Sequence, residues 1–162
     1  MNDLLKSSRW QTTVLVALRF LIGWHLLYEG IHKLIHPEWT SLAFLSQSQG
    51  ILSGFADWIV SSEGILNMVD FLNTWGLIAI GLGLILGLFT RIAAIAGTVL
   101  LMLYYLMNPP WIGLETSAAM EGNYLVVNKT LIEAVTLLLL TAFPAARAWG
   151  LDSMLKFNRK KS

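Results

Sequence analysis

An all-α integral membrane fold is predicted for this chain: four helices crossing a bilayer as a bundle. Three observations carry that prediction. Hydrophobic residues make up 56% of the 162 positions and charged residues only 13%, with a mean hydropathy of +0.63. A soluble domain of this length needs more charge than that to cover its surface. Four long apolar stretches are punctuated by Pro37, Asn108-Pro109-Pro110 and Pro144, where helices stop. The basic residues, finally, gather at one set of ends. The chain reads as one domain over 1–162 whose main partner is the lipid bilayer, and no nucleic-acid partner is expected. It has no cysteine, which excludes a disulfide framework, a thiol relay and a thiolate metal site.

The first span is expected over 12–35, closed by Pro37. Lys6 and Arg9 ahead of an apolar run imitate a signal peptide. Arg19 interrupts that run and no small-residue cleavage site follows, so a retained helix is expected. The second span is expected over 68–89 and the third over 91–107. The short connection around Thr90 makes those two an antiparallel hairpin. Gly83 and Gly87, four apart, would allow close helix approach. The fourth span is expected over 124–143. Between the first and second, the stretch 40–60 is too polar to span. Leu42, Leu45, Ile51, Leu52, Phe55 and Ile59 give it a helical apolar stripe broken by Gly50 and Gly54. An amphipathic helix lying in the interface is expected there.

Orientation follows from lysine and arginine. The interval 34–90 contains none, while Glu38, Asp57, Glu63 and Asp70 fall within it. The loop 108–128 repeats this with Glu115 and Glu121. Lys6, Arg9, Arg91, Arg147, Lys156, Arg159, Lys160 and Lys161 mark the other side. The positive-inside rule then puts both termini, including the basic tail 147–162, in the cytoplasm and the loops 36–67 and 108–123 outside. Trp39, Trp58, Trp75 and Trp111 fall at the outer interface, Trp10 and Trp149 at the inner one. Arg19 and Arg91 are expected to snorkel to the inner headgroups.

The outer half of the first span concentrates the polar chemistry. His25, Glu29, His32 and His36 follow an i, i+4, i+7, i+11 pattern, which places them within roughly 60° on one helix face. Ionisable groups at membrane depth are costly, and they ordinarily face the protein interior and carry function. Lys129 and Glu133 share a face of the fourth span. At ~1.5 Å per residue Glu29 lies about 9 Å deep, Lys129 roughly 6–8 Å and Glu133 roughly 12–14 Å. Glu29 and Glu133 are therefore expected to face each other, with Lys33 and Lys129 neutralising them, and with Asn123, Asn128 and Tyr124 at the mouth.

Several readings of these groups compete. A structural ion-pair network is the plainest. A metal site would use Glu29 and His32 as a Glu-x-x-His pair, with Glu133 as a third ligand. Carboxylate-bridged metal bundles carry that motif on two helices, and one helix carries it here, so a metal is not favoured. Haem is not favoured either, since all three histidines lie on one helix, unless a dimer supplies the second ligand. A quinone or quinol site fits the residue types better. Histidine and a buried glutamate exchange protons near neutral pH, and Trp24, Tyr28 and Tyr124 can flank a ring. The cofactor-binding set expected is His25, Glu29, His32, Lys33, Asn128, Lys129 and Glu133 with those three aromatics.

A resemblance bears on the choice. Arg19-Phe20-Leu21-Ile22-Gly23 through Glu29-Gly30-Ile31-His32-Lys33-Leu34, then Gly81-Leu82 through Gly87-Leu88-Phe89-Thr90-Arg91-Ile92-Ala93-Ala94, then Asn123-Tyr124 through Asn128-Lys129 and Glu133, and last Trp149-Gly150-Leu151-Asp152 resemble the DoxX/DoxD family of small membrane proteins. The resemblance implies a four-helix membrane bundle. One branch is the membrane subunit of thiosulfate:quinone oxidoreductase, which passes electrons from thiosulfate to membrane quinone. Other members accompany redox systems. The family's polar signature falls here on Glu29, Lys33, Arg91, Asn123, Asn128, Lys129 and Glu133, and no catalytic residue is carried over. The expectation is therefore a multi-pass protein of a bacterial inner membrane. It would be a redox-system subunit that binds quinone in an outward-facing pocket between the first and fourth spans. A partner redox subunit or a second copy of the chain would complete it. The alternatives are a non-catalytic scaffold docking an extracytoplasmic partner through its two long loops, or a small-solute or proton carrier, for which no inverted repeat is visible.

Overall fold

The computed structural model describes residues 8–110 and 125–153, and the regular elements among them are helices. In chain order they are α1 (Arg9–Ile35), α2 (Leu42–Ser46), α3 (Ser53–Val60), α4 (Glu63–Leu86), α5 (Thr90–Met107) and α6 (Lys129–Ala142), followed by a 3₁₀ turn at Pro144–Arg147. Three of them, α1, α4 and α5, are long and apolar enough to cross a membrane. At 14 residues, α6 rises only about 21 Å, short of the ~30 Å hydrocarbon core.

Capping sets the helix starts. Ser8 and Gln11 form a reciprocal capping box, so α1 begins at Arg9, ahead of the expected 12. Its 27 residues give about 40 Å of helix, longer than the ~30 Å hydrocarbon core. α4 begins at Glu63 rather than 68. α6 begins at Lys129 rather than 124, because the Asn128 side chain accepts the Leu131 N–H, a cap that ends the chain's extended approach. Just before it Leu125 takes a left-handed φ of 62°. The Tyr105 hydroxyl, donating to the Val126 carbonyl at 2.7 Å, ties this approach to α5.

The stretch 40–60 folds as two short helices rather than one, and together they roof one end of the molecule. Asp70 on α4 holds the start of α2: it accepts from the Thr40 hydroxyl at 2.7 Å, the Ser41 N–H at 3.0 Å and the Ser41 hydroxyl. The turn between the helices is pinned to the end of α5. There the Met107 carbonyl accepts from Gly50 N–H (2.8 Å) and from the Ser48 hydroxyl (2.7 Å). Asn108 donates back to the Phe44 carbonyl at 3.1 Å. The turn falls at Gly50, one of the two glycines that interrupt the stripe, where an added Cβ would collide with the Leu106 carbonyl oxygen. Leu45, Ala56, Ile59, Leu66 and Met107 form a small core beneath the roof.

The main core lies lower, where α1, α4, α5 and α6 meet around Leu26, Leu77, Leu84, Ala94, Leu101 and Leu137. Lipid tails are as apolar as leucine, so close packing rather than escape from water holds such helices together. Between α1 and α4 the pair that permits it is Gly23 and Gly81, while Gly83 brings α4 close to Ala93 of α5. A Cβ on Gly81 would lie 2.6 Å from the Leu27 nitrogen and 2.8 Å from the Gly23 carbonyl oxygen. Gly87 instead ends α4 with a left-handed φ of 63°, the usual helix C-terminus.

Arg19 departs most from expectation. It does not reach headgroups; it is 3% exposed. One guanidinium nitrogen donates to the carbonyls of Ala146 (2.8 Å) and Ala148 (3.2 Å), and the group packs against Gly87 and Gly150. The 3₁₀ turn after α6 leaves those carbonyls without helical partners, and the buried cation satisfies them. Beside it, Asp152 caps α5 from far along the chain, accepting the N–H groups of Phe89 and Thr90 at 2.9 Å each. Partial burial pushes the Asp152 carboxyl up. The Thr90 and Phe89 N–H groups and nearby Arg147 outweigh that and hold it below the usual carboxylate range. Arg91 is exposed in the first turn of α5.

Candidate functional site

Two stripes run along α1. Gly23, Leu26 and Gly30 are buried, with both glycines against α4. His25, Glu29 and Lys33, four residues apart, follow the neighbouring stripe into the space bounded by α4, α5 and α6. There they meet Leu77, Leu101, Tyr104, Lys129 and Glu133 around a polar pocket of about 210 Å³. Five expected residues, His25, Glu29, Lys33, Lys129 and Glu133, therefore share one cavity.

Its closest contact joins α1 to α6. His25 Nδ1 lies 3.0 Å from Glu133 Oε1 and 3.1 Å from Oε2. The side chains are 30% and 15% exposed. Glu133 is thus met by a histidine rather than by the lysines expected to neutralise it. The difference is chemical. A lysine would hold the carboxylate ionised, whereas imidazole and carboxyl can exchange a single proton between them. When Glu133 is ionised, Nδ1–H donates to it; when Glu133 is protonated, its hydroxyl donates to the ring nitrogen. Glu29 and Lys129 line the same pocket from more exposed positions.

Lys33 sits where this pocket joins a second, larger one. Its ammonium stands 4.6 Å from the centre of the Trp39 ring and 5.8 Å from that of Tyr104, within reach of the fields of Glu29 and Asp70. Cation–π contact of this kind holds an ammonium in an otherwise apolar wall. The Tyr104 hydroxyl donates to Asn73 Oδ1 on α4, and Phe44 of the roof meets the Tyr104 ring edge-on. Beyond them lies a chamber of about 680 Å³ between α4 and α5, under the roof. Glu29, Lys33 and Tyr104 line both spaces. Trp39, Asn73, Tyr104 and the chamber itself escaped the sequence reading. Two adjacent tyrosines at the end of the apolar run of α5 give no periodic signal, and the roof's position is set by contacts far apart in the chain.

The remaining expected residues fall elsewhere. His32 is exposed and stacks on His36 with ring centres 4.2 Å apart and on Tyr28 at 6.4 Å. His36 Nδ1–H donates to the His32 carbonyl at 2.7 Å. The angular arithmetic was sound, but α6 starts at Lys129, level with Glu29. One turn higher the same face of α1 meets no helix among the described residues. Trp24 and Tyr28 are exposed, and Asn128 is used as the α6 cap. Tyr124 and Asn123 lie outside the described residues. Among the described residues no group of three His, Cys, Asp or Glu side chains is arranged to hold a metal ion. Glu29 and Glu133 share the pocket, while His32 is not among its lining residues.

No curated protein and no solved structure matches the chain significantly. A family model does: the DoxX model matches residues 14–108. That interval contains His25, Glu29, Lys33 and Tyr104, the roof and most of the chamber wall, with Lys129 and Glu133 beyond it. With more than half of the chain matched, and with its apolar helices, this is a membrane protein of the DoxX family.

Proposed function

We propose that this DoxX-family protein binds quinone or quinol, with the ring in the polar pocket where His25 and Glu133 exchange protons with its oxygens. The observation that carries the reading is the His25–Glu133 contact, 3.0 Å long, at the end of a cavity that continues into an apolar chamber. A quinone has that same division: a ring that takes up two protons with two electrons, and an apolar tail. Lys33 and Lys129 favour the anionic forms of the ring that precede protonation. The electrons come from a partner redox subunit, and this chain supplies the binding site and the protons. The protein sits in a bacterial inner membrane as a four-helix bundle with α6 as the short fourth member. Both termini are cytoplasmic, and the roof and the polar pocket face outward.

Binding of a short-tail quinone analogue to the purified protein tests this directly. Saturable binding at micromolar affinity or tighter is expected, roughly −8 kcal/mol. His25→Ala should weaken it about ten-fold or more. Trp10→Ala, at an exposed position on the first turns of α1, should leave it unchanged. Absence of saturable binding, or equal loss in both variants, would refute the proposal.

A further inference from the structure

The chamber under the roof has a shape and lining that the polar pocket does not explain. It lies in the wedge between α4 and α5, at the far end from their tight connection at Gly87–Phe89. Val69 and Leu72 of α4 face Leu100, Leu103 and Met107 of α5 across it, and Phe44 of α2 lies above. Its walls are almost wholly apolar. The chamber is open on one side, and its volume of about 680 Å³ lies within the ~300–1,000 Å³ range of ligand sites. Leu72, Leu103 and Phe55 are exposed at its margin. In a membrane-spanning chain that margin opens sideways to lipid, the route by which an apolar chain would enter.

The chamber's polar lining is limited to Glu29, Lys33, Ser41, Asn73 and the polar tips of Trp39 and Tyr104. Glu29, Lys33 and Tyr104 form the border with the polar pocket, and Lys33 is held there by Trp39 and Tyr104. A ligand occupying both spaces has its polar head beside His25 and its chain running under the roof. We infer that the chamber is the binding site for the isoprenoid tail of the quinone, reached laterally between α4 and α5, and that it makes the protein selective for long-tail over tailless quinones. The inference rests on the ring site proposed above. A lipid acyl chain shares the tail's chemistry, but its glycerol head has no use for the His25–Glu133 pair.

Two probes separate the tail site from the ring site: a benzoquinone with a single isoprene unit, and the same ring with a tail of several. Each is titrated into the protein in nanodiscs as a mole fraction of lipid, so that partitioning into the bilayer is common to parent and variants. Val69→Phe and Leu103→Trp fill the chamber from opposite walls. The parent should prefer the long-tail probe through close packing of the tail against the chamber walls, since a tail leaving lipid gains nothing from escape from water. Both variants should keep their short-tail affinity, which shows that they are folded, and lose about ten-fold or more of the long-tail preference. A preference that survives both variants, or is absent from the parent, overturns the tail site and leaves the ring site standing. Failure of the parent to bind either probe overturns both.

Discussion

Two buried or half-buried polar side chains on α1, six residues apart, show how little a residue's type says about its task. Arg19 and His25 are both titratable groups in an apolar helix, and membrane cost would expel either. Arg19 stays because two carbonyls left over by the turn after α6 need a donor. His25 stays because Glu133 meets it. His25 and Glu133 could be picked out from spacing and depth alone, since both carry the helical phase of their own segments. The latch of Arg19 could not, because its partners are backbone oxygens of a 3₁₀ turn, and a carbonyl's need for a partner leaves no trace in residue type. The structure makes a specific demand here. Arg19→Leu should lower stability by about 1–3 kcal/mol, the cost of stranding buried acceptors, seen as a lower thermal midpoint in detergent. Arg19→Lys should recover part of it. A midpoint unmoved by Arg19→Leu would mean that the side chain reaches headgroups after all.

At the scale of elements, apolar runs and prolines located the three long helices, and side-chain caps account for the starts of α1 and α6 but not for that of α4. Asn128 ends the approach to α6, and Ser8 starts α1 early. The roof was only half legible. Its apolar stripe and the glycines that break it were visible, but the fold of that break into a turn pinned to α5 was not, because its partners lie far along the chain. The contact of α1 with α4 left no such signal: a glycine's spacing says it can pack closely, not against what. Gly81 and Gly76 on α4 make the distinction measurable. At Gly81 an added Cβ meets backbone of α1 at 2.6 and 2.8 Å, whereas at Gly76 nothing lies within 4 Å. Gly81→Ala should cost about 1–3 kcal/mol through overpacking. Gly76→Ala should be neutral, or stabilising by up to about 1 kcal/mol through helix propensity. The comparison is read in paired thermal melts, and a reversed order would show that the two helices do not touch along the Gly23–Gly81 line.

The whole molecule has two dissimilar ends, and its direction in the membrane fixes which solution the polar pocket faces. One end carries the Arg19 and Asp152 latch, Arg91 and Arg147, with the basic tail following. The other carries the roof, acidic and without lysine or arginine from 34 to 90. Moving that basic cluster outward would work against the retention of lysine and arginine on the cytoplasmic side, which acts on short loops such as the one between α4 and α5. In the orientation we propose, the roof and the mouth between Glu29 and Lys129 face the outside, and a bound quinone would exchange its ring protons with that compartment. The chain has no cysteine, so single cysteines report cleanly. Gln47→Cys lies at an exposed position of the roof and Trp149→Cys at an exposed position beside the latch. In intact cells a membrane-impermeant maleimide should label Gln47→Cys and leave Trp149→Cys unlabelled until the membrane is opened. The opposite pattern would reverse the orientation and direct the site's protons to the cytoplasm, while leaving its geometry untouched.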